Sequence, residues 1–274
     1  MHGGRAKGWD NIPNEFIINA PDEMFTAITT LFNKIKLSGS TPAGWNRGRV
    51  TLVFKKGLRE LLGNYRPITV LISLSGLYSR VLNTRLTQVV ESHKLLGEDQ
   101  NGFRKGRRMA DNSFILDSIL WKAKSLRQKV HLCYVDITKA YDSVNRSILW
   151  TKLASLGFGG QFLQSLKALY TGDSVVCTVN GLSTGQIHPQ RGLRQGCSLS
   201  PLLFALYISE IGKDISTSTL GYPIGGMIVS VLCFADDIVL VAKDADGLLK
   251  LIGMVKSHCD SLRLDISVSK SSVT

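Results

Sequence analysis

Three aspartates stand beside predicted strands, in positions from which their carboxylates could hold a divalent cation. Asp236 and Asp237 are neighbours in a short turn between the β-rich apolar runs 229–234 and 238–242, and Asp136 ends another such run. Adjacent carboxylates repel each other unless a cation neutralises them, and carboxylate oxygens are ligands that suit Mg²⁺. Each motif by itself also has an ordinary explanation, because Asp-Asp occurs in solvated turns and a single Asp often caps a helix.

Hydrophobic periodicity predicts the elements that position these residues, an α+β sheet with helices on one face. Strands are predicted at residues 49–55, 130–137, 174–180, 184–189, 229–234 and 238–242. Helices are predicted at residues 21–39, 71–94, 111–126, 147–156, 161–170, 199–215 and 246–262. Turns are predicted at Asn64-Tyr-Arg-Pro and around Gly181. If the strands beside Asp136 and Asp236 pair in one sheet, the two carboxylates meet at its edge.

The composition is that of a folded chain. Its 274 residues are 44% apolar and 20% charged, which is enough to build a core. The apolar runs are shorter than the roughly 20 residues of a membrane span, and the first residues lack the apolar stretch of a secretory signal. Five cysteines without a CxxC pair argue against a disulfide framework and a zinc site. We therefore expect an intracellular protein without a membrane partner.

The positive charge is concentrated before residue 130. Residues 1–130 contain 21 Lys and Arg against 10 Asp and Glu, whereas residues 131–274 contain 12 against 11. A basic excess of this kind suits a polyanion such as nucleic acid, although ribosomal and membrane-surface proteins share it. The shift in composition makes residue 130 the predicted internal boundary.

Seven ordered blocks resemble one known family. Asp136-x-x-x-Ala-Tyr-Asp, Arg191-Gly-Leu-Arg-Gln-Gly-Cys-Ser-Leu-Ser-Pro and Phe234-Ala-Asp-Asp resemble the palm of reverse transcriptases, in particular those of non-LTR (LINE-type) retrotransposons. Four further blocks extend the similarity over nearly the whole chain: Lys7-Gly-Trp-Asp-Asn-Ile-Pro, Asn64-Tyr-Arg-Pro-Ile, Gln100-Asn-Gly-Phe-Arg-Lys-Gly-Arg and Arg263-Leu-Asp-Ile-Ser-Val-Ser-Lys. Phe-Ala-Asp-Asp alone is a weak signal, but the ordered set is specific.

The resemblance implies a right-hand polymerase fold made of fingers and palm. Residues 1–130 would be the basic fingers, which contact template and triphosphate. Residues 131–274 would be the palm, an antiparallel sheet backed by helices, with the chain truncated before the thumb. The implied function is that of an RNA-directed DNA polymerase, and its partners are an RNA template, a DNA primer and dNTPs. The family's biology implies a location in the nucleus and the cytoplasm.

The resemblance also gives roles to the acidic residues and to one lysine. Asp136 and Asp236 would bind two Mg²⁺ ions, with Mn²⁺ as a possible substitute, which activate the 3′-hydroxyl and hold the pyrophosphate oxygens. Asp237 matches the second aspartate of the family, and its role is open between metal ligation and a structural hydrogen bond. Lys270 would donate a proton to the departing pyrophosphate.

Further residues are expected to contact the incoming nucleotide. Tyr141 matches the steric gate that rejects a 2′-hydroxyl, although a tyrosine there would otherwise be a core residue. Gln195 and Gly196 lie in a loop that resembles the family's nucleotide-contacting loop, where glycine permits close backbone approach. The triphosphate carries about four negative charges and needs a cationic clamp. The cations that match that clamp are Lys55, Lys56 and Arg66.

A dense basic cluster is predicted to follow the template phosphates. It consists of Arg104, Lys105, Arg107 and Arg108 around Gly106 and next to Phe103. The plainer interpretation is a solvated basic loop.

Four positions depart from the family pattern and motivate a second reading. Trp9 and Asn11 replace a proline and a glycine, Arg263 replaces a glycine, and Ser267 replaces an asparagine. The alternative is therefore a catalytically silent, nucleic-acid-binding remnant of such an element. Against it, the three aspartates, Tyr141 and the Gln195-Gly196 pair are intact. An RNA-templated RNA polymerase is disfavoured because Tyr141 would be a bulky gate.

Overall fold

Helices and short strands alternate along the computed structural model, which describes residues 3–179 and 182–274. The helices are α1 (Asn14–Ile18), α2 (Asp22–Ser38), α3 (Ser73–Ser92), α4 (Met109–Ser125), α5 (Ala140–Ser143), α6 (Arg146–Ser155), α7 (Gly160–Ala168), α8 (Ser200–Ser216) and α9 (Ala245–Ser261). The strands are β1 (Arg47–Phe54), β2 (Tyr65–Val70), β3 (His131–Val135), β4 (Ser174–Val179), β5 (Leu182–Ser183), β6 (Tyr222–Ile224), β7 (Met227–Val229), β8 (Val231–Phe234), β9 (Asp237–Ala242) and β10 (Ser272–Val273). The turn predicted around Gly181 lies outside the described residues.

Helix α2 shows how local sequence sets the ends of an element. Pro21 precedes the first turn with an extended backbone, and Asp22 and Glu23 place negative charge where the helix dipole favours it. Gly39 ends the helix in the left-handed conformation with φ of 65°. The predicted helix, with its stop at Gly39, is confirmed.

The chain divides into two compact units, each made of two segments. The first unit comprises Met1–Gln88 and Trp150–Ser200, and the second comprises Val89–Leu149 and Pro201–Thr274. These units do not follow the predicted boundary at residue 130. That boundary rested on charge, whereas the units reflect packing: β4 pairs with β1 in the first unit, and α4 packs on β8 in the second. The assignment of residues 1–130 to fingers and 131–274 to palm stays a prediction.

The first unit contains a sheet with strand order β2-β1-β4-β5. Strand β2 pairs antiparallel with β1, and β4 pairs parallel with β1. The turn predicted at Asn64-Tyr-Arg-Pro is wrong, because a 3₁₀ helix at Leu62–Asn64 leads directly into strand β2. Pro67 is tolerated in this strand because β2 lies at the edge of the sheet, where one side of the strand needs no ladder hydrogen bonds.

The second unit contains an antiparallel sheet with strand order β10-β3-β9-β8, which confirms an antiparallel sheet in this part of the chain. Strand β3 pairs with β9 from His131↔Ala242 to Val135↔Ile238. Helix α9 packs on β9 and β3 and buries Leu251 and Val255, so helices back the sheet as expected. The strand β10 and the hairpin β6–β7 were not predicted, because two- and three-residue strands carry too little periodicity.

The structure shows the state of the cysteines and the character of the helices. All five cysteines are free thiols, and only Cys177 is not fully buried. In the described part of the chain, no helix combines the length and the apolar character that crossing a bilayer requires.

Candidate active site

The hairpin between β8 and β9 carries two of the predicted aspartates. Phe234 pairs with Asp237, so Ala235 and Asp236 form a two-residue turn. Ala235 has φ of 59°, a left-handed conformation that suits a tight hairpin but is uncommon for a residue other than glycine. Asp236 is half-buried in this turn, whereas Asp237 is exposed at the first position of β9.

The end of β3 brings Asp136 to the same edge of the sheet as Asp237. Val135 and Ile238 are the last paired residues of β3 and β9, and Asp136 and Asp237 are the next residues at this end. Both aspartates line a cavity of about 370 Å³ that Lys270 also lines. The predicted pairing of the two strands is confirmed, but the aspartate that shares the cavity with Asp136 is Asp237, and the meeting of Asp136 with Asp236 stays a prediction.

One oxygen of Asp136 has the properties expected of a cation ligand. Its Oδ2 atom is buried and, within the described residues, has no hydrogen-bond partner. The Nζ atom of Lys270 lies 3.6 Å away, which is close enough for an ion pair but too long for a hydrogen bond. A buried oxygen without a partner is costly, and a divalent cation would satisfy it. The donor chemistry of Asp136 therefore fits a metal ligand.

The segment 267–271 docks on the end of β3 and holds Lys270 beside Asp136. The Ser267 N–H donates to the Asp136 carbonyl at 2.8 Å, and the Asp136 N–H donates to Ser271 Oγ at 3.2 Å. The structure therefore brings Asp136, Asp237 and Lys270 together. Within residues 3–179 and 182–274, no group of three or more His, Cys, Asp or Glu side chains is arranged to hold a metal ion.

Tyr141 lies in the same unit, and its ring is fixed by packing. It belongs to the short helix α5, and its ring stacks on Phe204 with 5.0 Å between ring centroids. Burial, followed by the negative charge of Asp236, raises the pKa of Tyr141 far above its ordinary value. The hydroxyl is therefore neutral.

The loop that contains Gln195 and Gly196 is built against the end of β2, inside the first unit. The Thr69 N–H donates to the Gln195 carbonyl at 2.7 Å. Gly196 has φ of 112°, and a Cβ atom there would lie 2.6 Å from the Thr69 carbonyl oxygen. The close backbone approach that the sequence predicted at this glycine is present.

The three cations predicted to clamp a triphosphate share one end of the β1–β2 hairpin. Lys55 and Lys56 directly follow β1, and Arg66 lies on β2 opposite Val53. All three side chains are exposed. They are therefore available to an anionic ligand, and their role stays a prediction.

The residues of the predicted nucleic-acid-binding cluster differ in burial, and the role predicted for Arg104 does not fit its buried position. Its side chain is only 5% exposed and donates to Glu91, at 2.8 Å, and to the Gly97 carbonyl. The hydrogen bond to Glu91 is the main reason that the pKa of Arg104 is raised and that the pKa of Glu91 is lowered. Arg104 therefore holds its own loop together, and its burial keeps it from template phosphates.

The other three basic residues of the cluster differ in their freedom. Arg107 forms a salt bridge with Glu98, and the hydrogen bond between them is the main reason that the pKa of the Glu98 carboxyl is lowered. Lys105 and Arg108 are exposed. Contacts to phosphate are therefore most accessible to Lys105 and Arg108.

Sequence reasoning missed the buried amides that support the hairpin turn. Gln100 is 3% exposed and contacts the Ala235 backbone through both ends of its carboxamide. Asn112 is buried on α4 and donates to the Cys233 carbonyl. The basic residues dominate the sequence around Gln100, and no local pattern there predicts that the Gln100 side chain is buried.

Two departures from the family pattern fall on left-handed backbone positions. Asn11 has φ of 58° and Arg263 has φ of 54°, and in both places the family pattern has glycine. The structure keeps the backbone conformation that glycine favours. At position 267, where the family pattern has asparagine, the Ser267 backbone N–H donates to the Asp136 carbonyl.

The sequence matches the family described as "Reverse transcriptase (RNA-dependent DNA polymerase)" over residues 53–274. It is 33% identical over 215 residues to a "Retrovirus-related Pol polyprotein from type-1 retrotransposable element R2" of Popillia japonica, covering 78% of this chain and 30% of that protein. It is 27% identical to the "Transposon TX1 uncharacterized 149 kDa protein" of Xenopus laevis, covering 99% of this chain and 21% of the relative. The chain thus spans less than a third of the length of these relatives.

Solved structures share the fold at much lower sequence identity. The structure of telomerase from Candida albicans with a fragment of telomeric RNA superposes with a TM-score of 0.58 at 13% identity. This similarity covers 93% of the chain and 46% of the telomerase chain. Apo telomerase from Candida tropicalis gives a TM-score of 0.59 at 11% identity, with 92% and 48% of the two chains covered. The α+β class and the antiparallel sheet are those of this polymerase fold.

Proposed function

Because the chain belongs to the reverse transcriptase family, we propose that it is the polymerase core of a protein from a non-LTR, LINE-type retroelement. Its reaction is the RNA-templated addition of deoxynucleotides to the 3′-hydroxyl of a DNA primer. Nucleic acids are the substrates of this family, and its members use divalent metal ions. We further propose that its template is RNA, that its primer is DNA, that it uses dNTPs and Mg²⁺, and that it acts in the nucleus and the cytoplasm.

The observation that carries the proposal is the acidic edge of the antiparallel sheet. Asp136 and Asp237 line one cavity, Asp236 occupies the adjoining turn, and Asp136 Oδ2 is buried without a hydrogen bond. We assign Asp136 and Asp236 as ligands of two Mg²⁺ ions, with Mn²⁺ as a substitute, and Asp237 as a further ligand. When bound, such ions activate the primer hydroxyl and stabilise charge on the leaving group.

Lys270 supplies positive charge and a proton beside these carboxylates. Its Nζ atom lies 3.6 Å from Asp136 Oδ2, and its side chain is 65% exposed, so it can reach a ligand in the cavity. A lysine ammonium placed there can donate its proton to the departing pyrophosphate oxygen. The positive charge of Lys270 also offsets the negative charge of the carboxylates when no cation is bound.

The remaining residues select and hold the nucleotide. Tyr141 presents a rigid neutral ring that excludes a 2′-hydroxyl, because stacking on Phe204 prevents the ring from yielding. Gln195 and Gly196 present a backbone surface for the base and sugar. Triphosphate oxygens, which carry most of the ligand's charge, are bound by exposed cations. The cations assigned to this task are Lys55, Lys56 and Arg66.

A primer-extension assay on an RNA template with dNTPs and Mg²⁺ tests the function. We expect the chain to extend the primer. We expect Asp236→Ala to slow extension by at least about a thousandfold, because metal ligation is worth several kcal/mol in the transition state. Asp246→Ala is the matched control, since Asp246 is exposed in the first turn of α9, does not line the cavity and removes the same charge.

The silent-remnant reading makes a different forecast for the same assay. If neither the wild-type chain nor Asp236→Ala extends a primer with Mg²⁺ or Mn²⁺, while both bind primer–template equally well, the chain binds nucleic acid without polymerase chemistry.

A further inference from the structure

The buried carboxamide of Gln100 grips the turn that carries Asp236. Its Oε1 atom accepts hydrogen bonds from the Ala235 N–H at 2.9 Å and from the Gly102 N–H at 2.8 Å. Its Nε2 atom donates to the Ala235 carbonyl at 3.2 Å. One side chain thus satisfies both backbone polar groups of Ala235, as a paired strand would.

The backbone of Ala235 needs such support. Its φ of 59° is unfavourable for a residue with a Cβ atom, and such conformations persist when the surroundings determine them. Ala235 is the residue directly before Asp236 and the first of the two turn residues. A change in its conformation therefore redirects the Asp236 side chain.

The loop of residues 99–102, here called the clamp loop, is fitted to the hairpin along its whole length. The Cys233 N–H donates to the Asp99 carbonyl at 2.8 Å, and the Asn101 N–H donates to the Cys233 carbonyl at 3.0 Å. A Cβ atom at Gly102 would lie 2.2 Å from the Ala235 nitrogen. The clamp loop therefore fixes both strand β8 and the turn that follows it.

We propose that Gln100 is a positioning residue that aims Asp236 at its cation by holding Ala235 in the left-handed conformation. This role rests on the proposed polymerase function and extends it to a side chain that touches neither nucleotide nor metal. A purely structural role predicts that replacing Gln100 lowers stability alone. A positioning role predicts a loss of metal affinity and turnover in protein that is still folded.

Gln100→Leu is the main variant, because leucine fills similar space without donors or acceptors. Gln128→Leu is its matched control, since Gln128 accepts a hydrogen bond from the Tyr222 hydroxyl in the same unit, away from the turn. We expect Gln100→Leu to weaken Mn²⁺ binding, measured by electron paramagnetic resonance, by about 10- to 100-fold, as is typical when a group that orients a ligand is lost. Gln128→Leu leaves Mn²⁺ binding unchanged.

Two further measurements separate positioning from stability. Hydrogen exchange of the peptide containing Ala235 accelerates in Gln100→Leu, because the amide loses its acceptor, while the thermal unfolding curve remains cooperative. In primer extension, Gln100→Leu lowers kcat and raises the Mg²⁺ concentration needed, while the affinity for primer–template stays at the wild-type value.

Gln100→Glu replaces the leucine variant if that one does not fold. Its carboxylate still accepts from both N–H groups but cannot donate to the Ala235 carbonyl. An added negative charge by itself would strengthen Mn²⁺ binding, whereas a misdirected Asp236 weakens it, so the sign of the change separates the two effects.

The outcomes distinguish this proposal from the proposed function. Wild-type Mn²⁺ affinity in a folded Gln100 variant overturns the positioning role, whether or not the chain extends primers. A wild-type chain that binds Mn²⁺ but does not extend primers refutes the polymerase function, and the Mn²⁺ and exchange measurements then still decide the role of Gln100.

Discussion

Tyr141 is a residue whose size, rather than its hydroxyl, should matter. Its ring is braced by Phe204, and its raised pKa keeps the hydroxyl neutral at any assay pH near neutrality. We predict that Tyr141→Ala increases incorporation of ribonucleotides relative to deoxynucleotides by about tenfold or more, because a pocket discriminates a small added group mainly by volume. Tyr141→Phe keeps the wild-type preference. Single-nucleotide incorporation with competing substrates measures both, and equal loss in the two variants would point to a hydroxyl contact instead.

Arg104 should act on stability, because its guanidinium lies buried between Glu91 and the Gly97 carbonyl. We predict that Arg104→Ala lowers the free energy of unfolding by about 2–3 kcal/mol at neutral pH, since it leaves these acceptors without their donor. Urea unfolding of the two proteins measures this difference. Lys105→Ala is the control, because Lys105 is exposed in the same loop and its removal should leave the unfolding free energy unchanged.

The pH dependence of that difference tests the ion pair itself. The hydrogen bond from Arg104 lowers the pKa of Glu91 below its ordinary value of 4.5. A carboxyl with a lowered folded-state pKa stabilises the fold above its unfolded pKa and loses that contribution as the pH falls through the folded value. The gap between wild type and Arg104→Ala should therefore be full at neutral pH and narrow below about pH 4.5. If the difference in unfolding free energy is the same at neutral pH and below about pH 4.5, the lost stability comes from packing and not from the ion pair.

At the scale of elements, the contact between the 192–196 loop and strand β2 depends on one glycine. Gly196 combines φ of 112° with a Cβ position 2.6 Å from the Thr69 carbonyl. We predict that Gly196→Ala costs more than about 1 kcal/mol and reduces dNTP affinity, because the alanine must displace the loop from the strand. Gly185→Ala is the matched control, since a Cβ at Gly185 meets nothing within 4 Å. Unfolding curves and the KM for dNTPs check both, and an unchanged KM would separate this loop from the nucleotide site.

The elements that the sequence predicted are those with a strong period or clear end signals. Helix α9 has apolar residues at helical spacing and an N-cap at Asp244, and β9 is a continuous apolar run, so both were foreseeable. Strand β2 was missed because Pro67 suggested a turn, although an edge strand accommodates proline. At the site, the aspartates were recognisable from their motifs. The clamp by Gln100 was not, because a hydrogen bond between residues 135 positions apart leaves no local pattern.

At the scale of the whole chain, charge and packing divide the molecule differently. Cationic residues concentrate before residue 130, since a polyanion-binding surface needs charge but not a separate core. Packing instead joins residues that are distant in sequence, so each compact unit consists of two segments. A boundary that is useful for describing binding therefore gives poor guidance on which pieces can fold.

Fragments of the chain test which division governs folding. A fragment of residues 1–130 lacks β4, the parallel partner of β1, and α7, against which α2 packs. A fragment of residues 131–274 lacks α4 and the clamp loop, which contact β8. We predict that neither fragment unfolds cooperatively in a thermal melt followed by circular dichroism, because each exposes unpaired strands and part of a core. A chain in which residues 1–92 are joined by a flexible linker to residues 146–200 contains both segments of the first unit and should unfold cooperatively. Cooperative unfolding of the 1–130 fragment, with none from the linked chain, would show that the charge boundary is also a folding boundary.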